Sequence, residues 1–310
     1  MNLLRPTESD ILTPMGLVNY ATLSTEQPHP RSQSLDRLTP SQIVRLMNRE
    51  DAQVLRAIAA AQPSIAKAIS LITGVLRDGG RLFFVGAGTS GRLGVIEAAE
   101  CPPTFNTPPS LIQAIMAGGK SAVFQSKEGS EDSESDAVSA VRKRVGKKDV
   151  LVGVAASGVT PFVGAALQTA RQRGAKTILL TCNPKTPPGR AHLLIALRTG
   201  SEILSGSTRL KAGTACKMTL NMLTTASMVQ LGKVFGNRMV DLQPKSRKLV
   251  ERAVRLIGEL GHVREPQARQ LFKDSRGHVK AAIVMARRHM SYAQAAKQLD
   301  QARGFLRKVL

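Results

Sequence analysis

The sequence predicts an α/β protein: a doubly wound, five-stranded parallel sheet with flanking helices and a small helical unit at the C-terminus. Two observations predict it. Five short apolar runs, at residues 81–86, 111–119, 149–157, 176–184 and 191–197, alternate with helical patterns at 90–99, 133–145 and 161–173. From about residue 245 onward the chain reads as helices only. Strand–helix alternation implies right-handed crossovers and a sheet covered on both faces, with ligands at the carboxyl ends of its strands.

Residues 1–38 are rich in Pro, Ser, Thr and Gln and read as an extended arm. "LTPSQ" then opens a helix. Thr39 suits the N-cap, Pro40 the first turn, and Gln42 completes a capping-box spacing. Apolar residues recur at helical spacing from Ile43 to Leu76, with a break expected at Pro63 and a stop at Gly79-Gly80. "RLFFVG" ends in Gly, as buried parallel strands do before a tight turn. A long helix is expected over 209–232. The expected domains are the arm (1–38), an α/β domain with N-terminal helices (39–243) and the helical unit (244–310).

Of 310 residues, 42% are hydrophobic, Trp is absent and aromatics make up 3%, so the core must be built from aliphatic side chains. No stretch approaches the roughly 18 consecutive apolar residues of a membrane span. The first residues lack the apolar run of a signal peptide. Cys101, Cys182 and Cys216 are isolated, without a CxxC pair, which fits a reducing compartment and speaks against a metal site. The expected location is the cytoplasm. The formal charge of +22 invites a nucleic-acid reading. The basic residues are spread along the chain with some enrichment after residue 244, and neither a helix-turn-helix nor an aromatic base platform accompanies them, so a nucleic acid is not the expected ligand; a solvated basic surface with an anionic small-molecule substrate is the alternative.

Residues 83–94, "FFVGAGTSGRLG", carry Gly86-x-Gly88-x-x-Gly91 at the end of the first strand. Such a turn brings backbone amides and a helix N-terminus to a phosphate. A dinucleotide site also needs an acid at the end of the second strand. That strand ends "AIMAGGKS", with Lys120 and no acid, which removes the nucleotide. Thr89 and Ser90 place hydroxyls in the same loop. "AASGVTP" adds Ser157 and Thr160, and "LSGSTRLKAG" adds Ser205, Ser207, Thr208, Arg209 and Lys211. Each Ser or Thr alone is an ordinary helix cap. Three such loops at one sheet edge suit a phosphomonoester, with Gly88, Thr89, Ser90, Ser157, Ser207, Thr208 and Lys211 as the candidate binding set.

"GAGTSGRLGVIEAAECPPTF", "EGSED", "AASGxTP" and "GSTRLKAGTA" together resemble the N-acetylmuramic acid 6-phosphate etherases of the sugar isomerase (SIS) superfamily. The resemblance runs from about residue 24 to the C-terminus. It implies a flavodoxin-like sheet, a homodimer with sites near the subunit interface, and a C-terminal unit similar to a ubiquitin-associated domain. It implies cleavage of the lactyl ether of N-acetylmuramic acid 6-phosphate, without metal or other cofactor.

Cleaving an ether at carbon 3 of a sugar is difficult by direct displacement. Opening the ring to an aldehyde acidifies the proton on carbon 2, and lactate then leaves by elimination before water adds back. The route needs a base at carbon 2 and an acid at the departing oxygen, so two carboxylates in different environments. Glu100, before "CPPTF", and Glu131, in "EGSED", match the family's catalytic pair. The resemblance implies Glu100 as proton donor and Glu131 as base; the residues alone leave the order open. Glu97 competes with Glu100 one turn away, and Glu128 stands to orient its neighbour. Where the family usually reads "AASGRTPY", Val159 and Phe162 stand here. Two other functions remain in view: a non-catalytic sugar-phosphate regulator similar to glucokinase regulatory protein, and an aldose–ketose isomerase of the same fold.

Overall fold

Five parallel strands form one sheet: β1 (Leu82–Gly86), β2 (Ile112–Met116), β3 (Val150–Val154), β4 (Lys176–Thr181) and β5 (Leu193–Ala196). The computed structural model describes residues 20–183 and 191–310. Residues 1–19, half of the expected arm, and the Pro184 end of the fourth apolar run therefore lie outside the described residues. The spatial order is β2-β1-β3-β4-β5, so the winding reverses between β1 and β3. That reversal is the crevice where open α/β sheets bind ligands. β2 stops short of its apolar run, where Gly118 (φ 77°) and Gly119 (φ 74°) turn the chain early.

Side chains alternate across the sheet and feed two cores. Leu82, Phe84, Val150, Val152, Ile178 and Leu180 face one side. They pack against α1 (Pro40–Arg77), α2 (Gly88–Phe105) and α5 (Lys211–Gln230). Phe83, Val85, Leu151 and Leu179 face the other, under α3 (Glu134–Arg144) and α4 (Pro161–Gln172). The α4 ridge presses so closely on β3 that a Cβ on Gly153 would lie 2.7 Å from Val163 Cγ1. The Phe162 departure belongs to this second core, where the side chain is fully buried.

The capping box at Thr39 forms as read: Thr39 N–H donates to Gln42 Oε1 (2.8 Å), and Gln42 N–H to Thr39 Oγ1 (3.4 Å). The expected break at Pro63 does not occur; α1 is continuous over 38 residues. Pro63 lacks an N–H and its ring crowds the carbonyl of Ala59. Both residues lie on the exposed face, so the orphaned carbonyl is open to solvent while Ile58, Ala61, Ile65 and Ile72 hold the buried face. Among the described residues α1 is one helix long and apolar enough to cross a membrane, with mean hydropathy 1.3 over its best window. Its apolar stripe instead packs on the sheet. Likewise α2 runs past the expected stop at residue 99, through Pro102 and Pro103, to Phe105.

The chain ends in α6 (Arg247–Gly261), α7 (Glu265–Asp274), α8 (Val279–Arg288) and α9 (Tyr292–Gln301). These helices share a core of their own, from Val240 and Leu242 to Leu306 and Val309. Asp241 ties this unit to the end of α5 through Lys280 and Lys233, each at 2.9 Å.

Candidate functional site

At the β1–β3 switch point β1 ends in Gly86, and the chain turns at Gly88 (φ 51°) straight into α2. Gly91 must be glycine: a Cβ there would collide with Met116 Sδ and the Gly86 carbonyl. The close approach brings the first turn of α2 down onto the strand ends. The N-cap is Ala87, which supplies no side-chain cap, so the first-turn amides and the positive end of the helix dipole face the crevice.

Two further helices begin nearby in the same uncapped way. Thr160 precedes α4 and Leu210 precedes α5, and neither side chain caps its helix. The Ser and Thr residues of these loops are therefore not spent as ordinary caps. Ser157 Oγ accepts from Val159 N–H at 3.3 Å, which leaves its hydroxyl proton to be given to a ligand. The first amides of α5 are taken instead by a buried acid that the sequence reading passed over. Glu202 accepts from Lys211 N–H (3.2 Å) and Ala212 N–H (2.8 Å). Burial pushes the Glu202 carboxyl above the usual carboxylate range, against the pull of these two amides.

The loops enclose a cavity of about 280 Å³. Gly88, Thr89, Ser90, Ser157, Thr160 and Thr208 line it, together with Glu131, Asp132 and Val159. The volume sits near the lower end of small-molecule clefts, ~300–1,000 Å³. Val159, where the resemblance has Arg, leaves that part of the wall apolar, and no Lys, Arg or His lines the cavity among the described residues. An anion bound here meets hydroxyls, amides and a helix dipole rather than a paired cation. Glu131 and Asp132 form the first turn of a short 3-10 helix after Gly129 (φ 73°). Glu128 lies beside them, accepting from Ser126 Oγ at 2.9 Å.

Three residues of the candidate set stand elsewhere. Ser207, half-buried, follows the lining residue Gly206 without lining the cavity itself. Lys211 is buried, and its ammonium donates to Glu50 Oε2 on α1 at 2.9 Å. Glu100 is exposed near the far end of α2. Twelve residues of helix separate it from Gly88, about 18 Å at 1.5 Å per residue, longer than a hexose phosphate. Glu97, its rival, is buried instead. It accepts from Asn221 Nδ2 (2.6 Å) and from Thr224 Oγ1, which clamps α2 to α5.

Glu26 also lines the cavity and was not singled out from the sequence. It reaches the site from the arm, 62 residues before the glycine turn, and no local pattern marks so distant a contact.

A family model described as "Glucokinase regulatory protein N-terminal SIS domain" matches residues 64–171, and one described as "SIS domain" matches 128–226. The chain has a fold like that of a phosphoheptose isomerase from Francisella tularensis (TM-score 0.50, 17% identity, covering 62% of this chain and 100% of that one). Much nearer in sequence is an N-acetylmuramic acid 6-phosphate etherase from Synechocystis sp., 49% identical over 93% of this chain and 95% of its own length. An etherase of the same name from Geobacillus thermodenitrificans is 47% identical over 93% of this chain and 98% of its own. With about half its residues shared across nearly the full length of such relatives, this chain belongs to the N-acetylmuramic acid 6-phosphate etherase family.

Proposed function

We propose that the chain cleaves the D-lactyl ether of N-acetylmuramic acid 6-phosphate, giving N-acetylglucosamine 6-phosphate and D-lactate. One observation carries the reading: hydroxyl-bearing loops and Glu131 converge on a single cavity at the sheet's switch point. Thr89, Ser90, Ser157 and Thr208 bind the phosphate with the first amides of α2. Glu131 removes the proton from carbon 2 of the ring-opened sugar. Glu100 protonates the departing lactate oxygen, and water then adds to carbon 3 of the enal. Each proton transfer by a placed carboxylate contributes about 10²–10⁴-fold.

Glu100 lies about 18 Å along α2 from Gly88 and does not line the cavity that holds Glu131. We take the active species to be a homodimer in which Glu100 of one copy completes the cavity of the other. An apolar groove of about 740 Å³ between α1 and α5, with Ile65, Ile69, Met218, Met222 and Val229, supports this. Asn221 lines that groove and also holds Glu97, one turn from Glu100, so a second copy seated there lies beside α2. The three buried thiols fit a cytoplasmic enzyme. Relatives named as etherases over their full length do not favour the regulator or isomerase readings.

The test is D-lactate release from N-acetylmuramic acid 6-phosphate in deuterated water. Wild type releases lactate and places deuterium at carbon 2 of the product. Glu131→Ala abolishes both, and Glu100→Ala lowers lactate release at least about 100-fold while retaining some exchange. Wild-type protein that releases no lactate would refute the assignment.

A further inference from the structure

We propose that Glu26 is a substrate-contacting residue of this site, carried in by the N-terminal arm, and that it binds the hydroxyl- and amide-bearing ring of the sugar phosphate rather than its phosphate. The proposal rests on the sugar-phosphate reading of the cavity.

The described part of the arm holds only two short 3-10 helices, Tyr20–Thr22 and Leu35–Arg37, yet it is firmly built into the protein. Leu23, Thr25 and His29 are all buried. His29 Nε2 lies 2.9 Å from Glu50 Oε2, which also receives Lys211 Nζ at 2.9 Å, while Arg31 reaches Glu50 Oε1 at 3.4 Å. One buried carboxylate on α1 thus pins both the arm and the first residue of α5. Burial pushes Glu50 up, but the bonds from Lys211 and His29 hold it below the usual carboxylate range. It stays ionised, as the hub of this cluster must. Lys211 therefore serves the site by fixing the arm rather than by meeting the ligand.

Between these anchors the arm crosses the loop before α5. Gly206 N–H donates to the Thr25 carbonyl at 3.1 Å. Glu26 sits directly over Gly206, where a Cβ would come within 2.9 Å of Glu26 Oε2. Gly206 has φ 76°, so both its backbone and its missing side chain make room for the carboxylate. Glu26 lines the cavity beside Thr208, Ser157 and Glu131. Among the described residues its carboxylate takes a long hydrogen bond from Thr25 Oγ1, at 3.5 Å.

An ionised carboxylate only accepts hydrogen bonds. A phosphate dianion offers it repulsion, whereas sugar hydroxyls and an acetamido N–H offer donors. The hydroxyl loops and α2 amides suit the phosphate, so Glu26 is left for the ring. A carboxylate here also disfavours inorganic phosphate, which would otherwise occupy the same donors.

Titration calorimetry of wild type, Glu26→Gln and Glu26→Asp with two probes, N-acetylglucosamine 6-phosphate and inorganic phosphate, tests this. Loss of a charged hydrogen bond predicts that Glu26→Gln weakens the sugar phosphate about 10–100-fold. Inorganic phosphate binds the variant as well as wild type, or more tightly. Glu26→Asp recovers part of the sugar-phosphate affinity. Gly206→Ala, which displaces the carboxylate, shifts the sugar phosphate in the same direction as Glu26→Gln. Equal weakening of both probes in Glu26→Gln would mean that Glu26 only props the loop, and unchanged sugar-phosphate affinity would mean that it touches nothing; either overturns the proposal. Wild-type protein that binds inorganic phosphate but no sugar phosphate would overturn the reading of the cavity itself, and the proposal with it.

Discussion

Glu97 and Glu50 are both buried acids, and their surroundings set them in opposite directions. Burial pushes Glu97 above the usual carboxylate range, against the bonds from Thr224 and Asn221 and the charge of Lys217. An acid whose folded-state pKa is raised binds more protons folded than unfolded. Its cost to stability is absent below the unfolded value, near 4.5, and grows as pH rises through the shifted range. Glu97→Gln removes that charge, while Asn221 can turn its amide to keep a bond. The variant is therefore expected to unfold at higher denaturant than wild type at pH 8, with the advantage vanishing toward pH 4. Urea midpoints across that range check it, and a variant less stable than wild type at pH 8 would contradict it. Residues such as these were the least legible in the sequence. Lys211 read as a ligand-binding cation because its partner Glu50 lies 161 positions away. Glu202 and Glu26 were passed over for the same reason: caps and contacts made across the fold leave no spacing in the chain.

At the scale of elements the local rules worked wherever the deciding contacts were local. The capping box at Thr39, the glycine turn of α2 and the alternating strands are all sequence-near patterns, and all form. Prolines misled because their effect depends on which face they occupy. Pro63, on the exposed side of α1, leaves the buried stripe intact and the helix continuous. Its retention still costs the helix a hydrogen bond, at about 3 kcal/mol for an interior proline, partly offset by the unfolded-state entropy that proline removes, about 1 kcal/mol. Pro63→Ala is thus expected to stabilise the protein by about 2 kcal/mol, read as a raised midpoint in thermal or urea unfolding. A lowered midpoint would mean that the proline ring itself is needed, most directly beside the apolar groove that begins at Gln62.

For the whole molecule the decisive feature is that one glutamate of the pair lines the cavity and the other does not. Glu131 lines the cavity and Glu100 is exposed about 18 Å along α2 from the cavity's glycine turn. In the two-fold dimer proposed above each contact is made twice, and the proposal requires every site to take Glu131 from one copy and Glu100 from the other. Co-expressing Glu100→Ala and Glu131→Ala chains with different tags, then purifying through both, gives heterodimers alone. In each, one site inherits both mutations and the other is intact. Specific activity of about half the wild-type value is expected, although each variant by itself releases lactate at least about 100-fold more slowly. If the two glutamates served the same chain's cavity, every site in the mixed dimer would lack one of them, and activity would stay at the level of the separate variants. The measurement therefore distinguishes a site shared between copies from two self-sufficient ones, and does so without disturbing the fold of either chain.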